Sequence, residues 1–107
     1  MRERGRGTLL FVTGLGAVVP LPGLGALAVA SAALRTYALT LNAALAGTGV
    51  FAGALVLGGL IEGGDIHRHA VAAAGPDLPT LDPAVIADGA WELVAAGEAP
   101  ETTFTSL

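Results

Sequence analysis

Three short constellations carry side chains or backbone geometry with chemical potential. Asp65-x-His67-x-His69 sets a carboxylate and two imidazoles at alternate positions. On an extended segment they line one side and suit a divalent metal. On a helix the two histidines point apart, and we read the segment as solvated, with no metal site. Gly23-Leu24-Gly25-Ala26-Leu27-Ala28 formally matches G-x-G-x-x-G/A, and Gly14-x-Gly16 follows an apolar run. A dinucleotide site needs that turn tight between strand and helix, with an acid about 20 residues on. Pro20 and Pro22 intervene, and the nearest downstream acid is Glu62, so these glycines read as loop and helix-packing residues. Asp88 and Glu92 form an i, i+4 acidic pair beside Trp91. With nothing to act on, they read as a solvated face, and Trp91 as core rather than a stacking platform.

Composition narrows the classes further. At 107 residues the chain is one domain, and its 13% charged residues fall well below the roughly 25% of an average soluble domain. So little polar surface fits either a membrane protein or elements buried on several sides. A net charge of −4 with no Lys excludes a nucleic-acid partner, since phosphate contacts need clustered cations. Arg2, Arg4 and Arg6 read as a solvated tail. The absence of Cys removes disulfides and thiolate chemistry and leaves the compartment open.

Residues 7–34 and 36–61 carry no charge, and each exceeds the roughly 20 residues that span a bilayer. The arginine-rich start, the apolar run behind it and Ala28-Val29-Ala30 also imitate an export signal. A small membrane or exported apolar protein is therefore the alternative reading. Against it, Pro20, Pro22 and the glycines at 14, 16, 23 and 25 divide the first run. Gly47-Thr48-Gly49 divides the second, whose helical half carries Tyr37, Thr40 and Asn42. We read a cytoplasmic protein outside the membrane.

The elements that position these residues follow in order. Residues 1–7 read as a disordered tail and 8–13 as a strand whose unbroken hydrophobicity predicts burial on both faces. A loop leads to one long Ala/Leu helix over 24–46, ended by Gly47. Its Ser31, Arg35 and Asn42 share a face. The remainder is apolar nearly all round, which predicts sheet on one side and another helix on the other. Residues 50–57 form a second strand. Residues 62–81 read as loop with at most a short helix near 67–74. Asp82-Pro83 opens a helix over 83–96, and 101–105 closes as a strand. The fold class is α/β: a three-stranded parallel sheet (8–13, 50–57, 101–105) carrying two helices.

The order FVTG, a Pro-rich loop, ASAALRTYALTLNAALAGTGV and a strand ending GGLI resembles the C-terminal half of the short-chain dehydrogenase/reductase family. The resemblance implies a partial Rossmann-like fold and a single half-domain over 8–107. The family's helix carries a proton-donating tyrosine four residues before a lysine. A serine about a dozen residues earlier binds the substrate carbonyl. Carried over position by position, the tyrosine falls on Leu27, the lysine on Ser31 and the serine at or next to Gly14. Tyr37 lies too far along the helix to substitute. Gly58, Gly59 and Ile61 match the family's Pro-Gly-x-Ile/Val segment beside the nicotinamide, with Gly58 in place of the proline. The resemblance thus implies NAD(P)-dependent oxidoreductase ancestry without catalytic residues, and no cofactor for this chain alone. Residues 58–69 would frame any retained substrate-side pocket. It also implies assembly, through the 24–46 helix as a homo-oligomer or with a complementary chain, because the 8–13 strand is central in the family and would otherwise leave an open edge.

Overall fold

A computed structural model describes residues 1–106. Three parallel strands form the sheet: β1 (Gly7–Gly14), β2 (Val50–Gly58) and β5 (Glu101–Thr105), in the order β1-β2-β5. The register runs from Gly7 opposite Val50 to Gly14 opposite Leu57, and from Ala54 opposite Glu101 to Gly58 opposite Thr105. Parallel neighbours require long crossovers, and α1 (Ala26–Ala44) supplies the first. The second holds β3 (Leu60–Ile61), α2 (Asp65–Ala74), β4 (Thr80–Leu81) and α3 (Pro83–Ala96).

Residues facing one way from the sheet meet α1, and those facing the other way meet α3. Val50 and Ala52 form a buried cluster with Leu45, to which Leu9 and Leu41 add. On the other face, the space beside Gly53 is closed by Leu93 of α3. A side chain at Gly89 of α3 would collide with the ring of Phe104 on β5. The helices therefore lie on opposite faces, although both connections step the same way across the sheet. If β1–α1–β2 has the right-handed sense of nearly all such units, the connection through α3 has the rarer left-handed sense. Its length, with α2 and the β3–β4 pair inside it, relieves the constraint that makes short crossovers right-handed.

Ser31, Arg35 and Asn42 of α1 lie on its sheet side, while Thr36 and Thr40 are exposed. Thr13 Oγ1 donates to the Ser31 carbonyl at 2.8 Å, and Asn42 Nδ2 donates to the Ala52 carbonyl at 2.7 Å. Arg35 donates from Nε and Nη2 to both oxygens of Glu101, each at 2.7 Å, a bidentate pair that ties α1 to β5 across β2. The hydrogen bonds from Arg35 hold the Glu101 carboxyl below its ordinary range against the opposing pull of desolvation, and the nearby positive charge adds to them. The same bonds raise Arg35. Outward, α1 presents Leu27, Val29, Leu34 and Tyr37, the reverse of an ordinary surface helix.

Several expectations need correction. The long helix is shorter than 24–46. Residues 22–24 form a 3-10 turn, and Gly25 at φ 52° is non-helical, so α1 begins at Ala26. At the other end it stops before Leu45, and the chain turns through Gly47 and Gly49 at positive φ. The span 62–81 is more ordered than a loop. α2 begins at Asp65, and β3 pairs in parallel with β4, anchored by the Glu62 amide donating to the Leu81 carbonyl at 2.9 Å. Gly7 and Gly14 join β1, and Gly58 joins β2. Residues 1–5 turn, with the Arg4 and Gly5 amides bonded to the Met1 and Arg2 carbonyls.

Two burial expectations fail. β1 is covered on the α1 side only, where Leu9 and Phe11 are half-buried and Thr13 is buried. Leu10 and Val12 point to the α3 side, where α3 reaches β2 and β5, and Val12 is left 55% exposed. Trp91 is not core: it lies on the outer flank of α3 and is 72% exposed. Leu93 takes the inward position instead. Hydrophobicity alone cannot say which face of a helix looks inward when both are apolar.

Candidate functional site

In open parallel sheets, ligands bind beyond the carboxyl ends of the strands. Here that rim is made by Gly14 of β1, Gly58 of β2 and Thr105 of β5, beside the first half of α1. The structure brings together two of the positions marked by resemblance. A Cβ built on Gly14 would stand 3.3 Å from Ser31 Oγ. The arrangement follows from local structure: Thr13 binds the Ser31 carbonyl and draws α1 over the end of β1.

Leu27 does not join them. Ala28 takes the inward place, 3.1 Å from a Cβ built on Gly16. Its neighbour Leu27 is turned away and 62% exposed. Glycine, serine and leucine at these positions supply no phenol, amine or imidazole. General acid–base chemistry needs a group that exchanges a proton near the working pH, and none of the three offers one.

Around Gly58 and Gly59 the chain packs on itself. A Cβ on Gly58 would meet Leu15 Cδ2 at 2.7 Å and Thr105 Oγ1 at 2.9 Å, so the chain itself fills that space. Thr105 Oγ1 donates to the Gly58 carbonyl at 3.1 Å. Gly59 is capped by Ser106, whose Oγ is buried without a hydrogen-bond partner. Ile61 lies outside the main sheet, in β3.

The other candidates lie apart from this rim. His67 and His69 are on α2, on opposite sides of the helix. His67 Nδ1 accepts from the Gly63 amide at 3.0 Å, and Asp65 pairs with Arg68. Among the described residues, no group of three His, Asp or Glu side chains could hold a metal. Asp88 and Glu92 are exposed and border a shallow hollow of about 460 Å³ floored by Leu93 and Phe104. The sequence offered no sign of this hollow, because nothing in it says that Gly89 of α3 faces Phe104 of the following strand. A second hollow, of about 490 Å³, lies at the opposite end of the sheet beside Gly49 and Gly97. Neither opens on Gly14, Leu27 or Ser31. Among the described residues no helix is long and apolar enough to cross a membrane.

No protein-family model and no curated protein matches this chain. Among solved structures, it is similar over its whole length to a short-chain dehydrogenase from Rhodopseudomonas palustris, with a TM-score of 0.67 and 19% identity. The chain spans 42% of that protein's length. Similarity at that identity is one of fold: the chain has the architecture of part of a short-chain dehydrogenase.

Proposed function

We propose that this chain is a short-chain dehydrogenase/reductase-like half-domain without catalytic activity of its own, acting in the cytoplasm through assembly rather than turnover. The observation that carries the reading is Leu27. At the place where the resemblance puts the proton donor stands an aliphatic side chain turned to solvent. Gly14 and Ser31 beside it add no titrating group, and the segment from Gly58 is filled by Leu15, Thr105 and Ser106. The ancestry is that of NAD(P)-dependent oxidoreductases, and the half-domain alone offers the cofactor no site.

Assembly is supported by what the fold leaves bare. The apolar outer face of α1, the uncovered side of β1 and the unpaired edge of β1 each call for a partner, either a second copy or a chain that completes the sheet. Titration with NADH or NADPH, read by cofactor and Trp91 fluorescence, tests the cofactor half of the reading. A flat trace up to millimolar cofactor is the expected result. Saturable quenching of Trp91 or a blue-shifted cofactor emission would overturn it.

A further inference from the structure

The hollow between α3 and β5 combines apolar surface with unpaired charge. Its floor is Leu93 and the half-buried ring of Phe104, which lies against the backbone of α3 because Gly89 has no side chain to hold it off. Val85 forms one wall and is 57% exposed. Asp88 and Glu92 stand on the helix rim, about one turn apart and both exposed. Neither has an ion-pair partner among the described residues. The third carboxylate of the lining, Glu101, is engaged at both oxygens by Arg35. The surrounding chain holds nothing to neutralise this rim. Residues 70–107 carry Asp77, Asp82, Asp88, Glu92, Glu98 and Glu101 and no Lys or Arg, so a negative potential lies over the apolar floor.

We propose that this hollow docks a basic, extended peptide segment of another protein. An apolar side chain of the segment rests on Phe104 and Val85, and an Arg or Lys pairs with each of Asp88 and Glu92. The spacing agrees. Side chains at i and i+4 of a helix leave it about 5–6 Å apart, and alternate side chains of an extended peptide leave it about 6–7 Å apart. Two cations with one residue between them therefore match the two carboxylates. The intervening side chain turns the other way, toward the Phe104 side of the hollow.

Charge and shape select this occupant over others. A second copy laid α3 on α3 would set Asp88 and Glu92 against their own copies. Nucleic acid and anionic lipid would be repelled. A metal ion lacks ligands, since no group of three His, Asp or Glu among the described residues could hold one. Being shallow, the hollow takes one side chain of a segment that runs across it, whereas a small-molecule pocket encloses most of its ligand.

Fluorescence anisotropy with a rhodamine-labelled peptide, Gly-Ser-Arg-Phe-Arg-Ser-Gly, tests this. In low salt the signal should saturate with a Kd on the order of 100 μM, and binding should weaken about 5-fold in roughly 0.3 M salt, because exposed charge pairs are screened. Replacing the peptide's Phe by Ala, or both its Arg by Gln, should each weaken binding about 5-fold or more. On the protein, Asp88→Asn with Glu92→Gln should weaken it about 10-fold, and Val85→Lys should remove it. All three positions are exposed, so the circular dichroism spectrum should not change. Glu62→Gln with Asp77→Asn removes the same charge away from the hollow and should leave the Kd within about 2-fold. Equal losses in the two double variants would reduce the effect to net charge and overturn the site. So would indifference to the peptide's Phe, or no saturation up to about millimolar chain. Either outcome leaves the half-domain reading standing, since cofactor and not peptide tests that.

Discussion

Truncating Val56 to alanine is expected to cost about 2–3 kcal/mol and to lower the thermal midpoint by roughly 10–20 °C. Val56 is the largest side chain with no exposure at all, and it sits in the middle strand of the sheet, opposite Thr103 of β5 and Thr13 of β1. Its same-face neighbours along β2 are Ala54 and Gly58, which are too small to close over a void. A core this small has few alternatives to rearrange into. The contrast is Trp91→Ala. That change removes far more hydrophobic surface, yet Trp91 is mostly exposed and the cost should stay within about 0.5 kcal/mol. Calorimetry of the two variants checks the pair. Equal losses would mean that Trp91 is buried by something outside this description.

Glu101→Gln and Arg35→Ala should each destabilise the chain by about 1–2 kcal/mol at neutral pH. The Arg35–Glu101 pair is the one ion pair between secondary-structure elements among the described residues, and both side chains are a little over a quarter exposed. It is bidentate and joins the first crossover to the last strand, so its loss loosens α1 from β5. The dependence on acid has a definite sign. Arg35 holds the folded-state carboxyl of Glu101 below its ordinary value of 4.5, so the unfolded chain takes up its proton first as pH falls. The pair's contribution is complete above about pH 5 and declines as pH drops through the folded-state value, where wild type and Glu101→Gln should converge. Denaturant titrations between pH 3 and pH 7 would reveal this. A stability gap that stays constant or widens in acid would contradict it.

How much of this could be read from the chain itself varies with the element. Asp82-Pro83 announces α3 with an N-cap and a first-turn proline, and the Asp82 carboxylate does accept from the Ala84 amide at 2.9 Å. The two long strands and the crossover between them follow from apolar runs separated by a helix-length Ala/Leu segment. The β3–β4 pair was invisible, because two residues per strand leave no periodicity to detect. α2 was partly hidden by the glycines before it and the mixed residues His67, Arg68 and His69. The orientation of α1 was harder still. Ser31, Arg35 and Asn42 share a face, which ordinarily marks the wet side. The groups they meet, Thr13 at the Ser31 backbone carbonyl, Glu101 at Arg35 and the Ala52 carbonyl at Asn42, are 18, 66 and 10 residues away in sequence. At the rim, the resemblance marked Gly14 and Ser31 as positions and said nothing of their distance. The closure of Gly58 by Leu15 and Thr105 was not legible, since it depends on side chains from two segments remote from it in sequence.

The half-domain reading stands on chemistry removed from a retained architecture, and one assay meets it directly. Purified chain at tens of micromolar, with NADPH or NADH and a panel of aldehydes and ketones, should leave the absorbance at 340 nm falling no faster than in buffer. Leu27, Gly14 and Ser31 supply no proton for the alkoxide that hydride transfer creates. Carbonyl-dependent oxidation of the cofactor that scales with chain concentration and is lost on thermal unfolding would contradict the account.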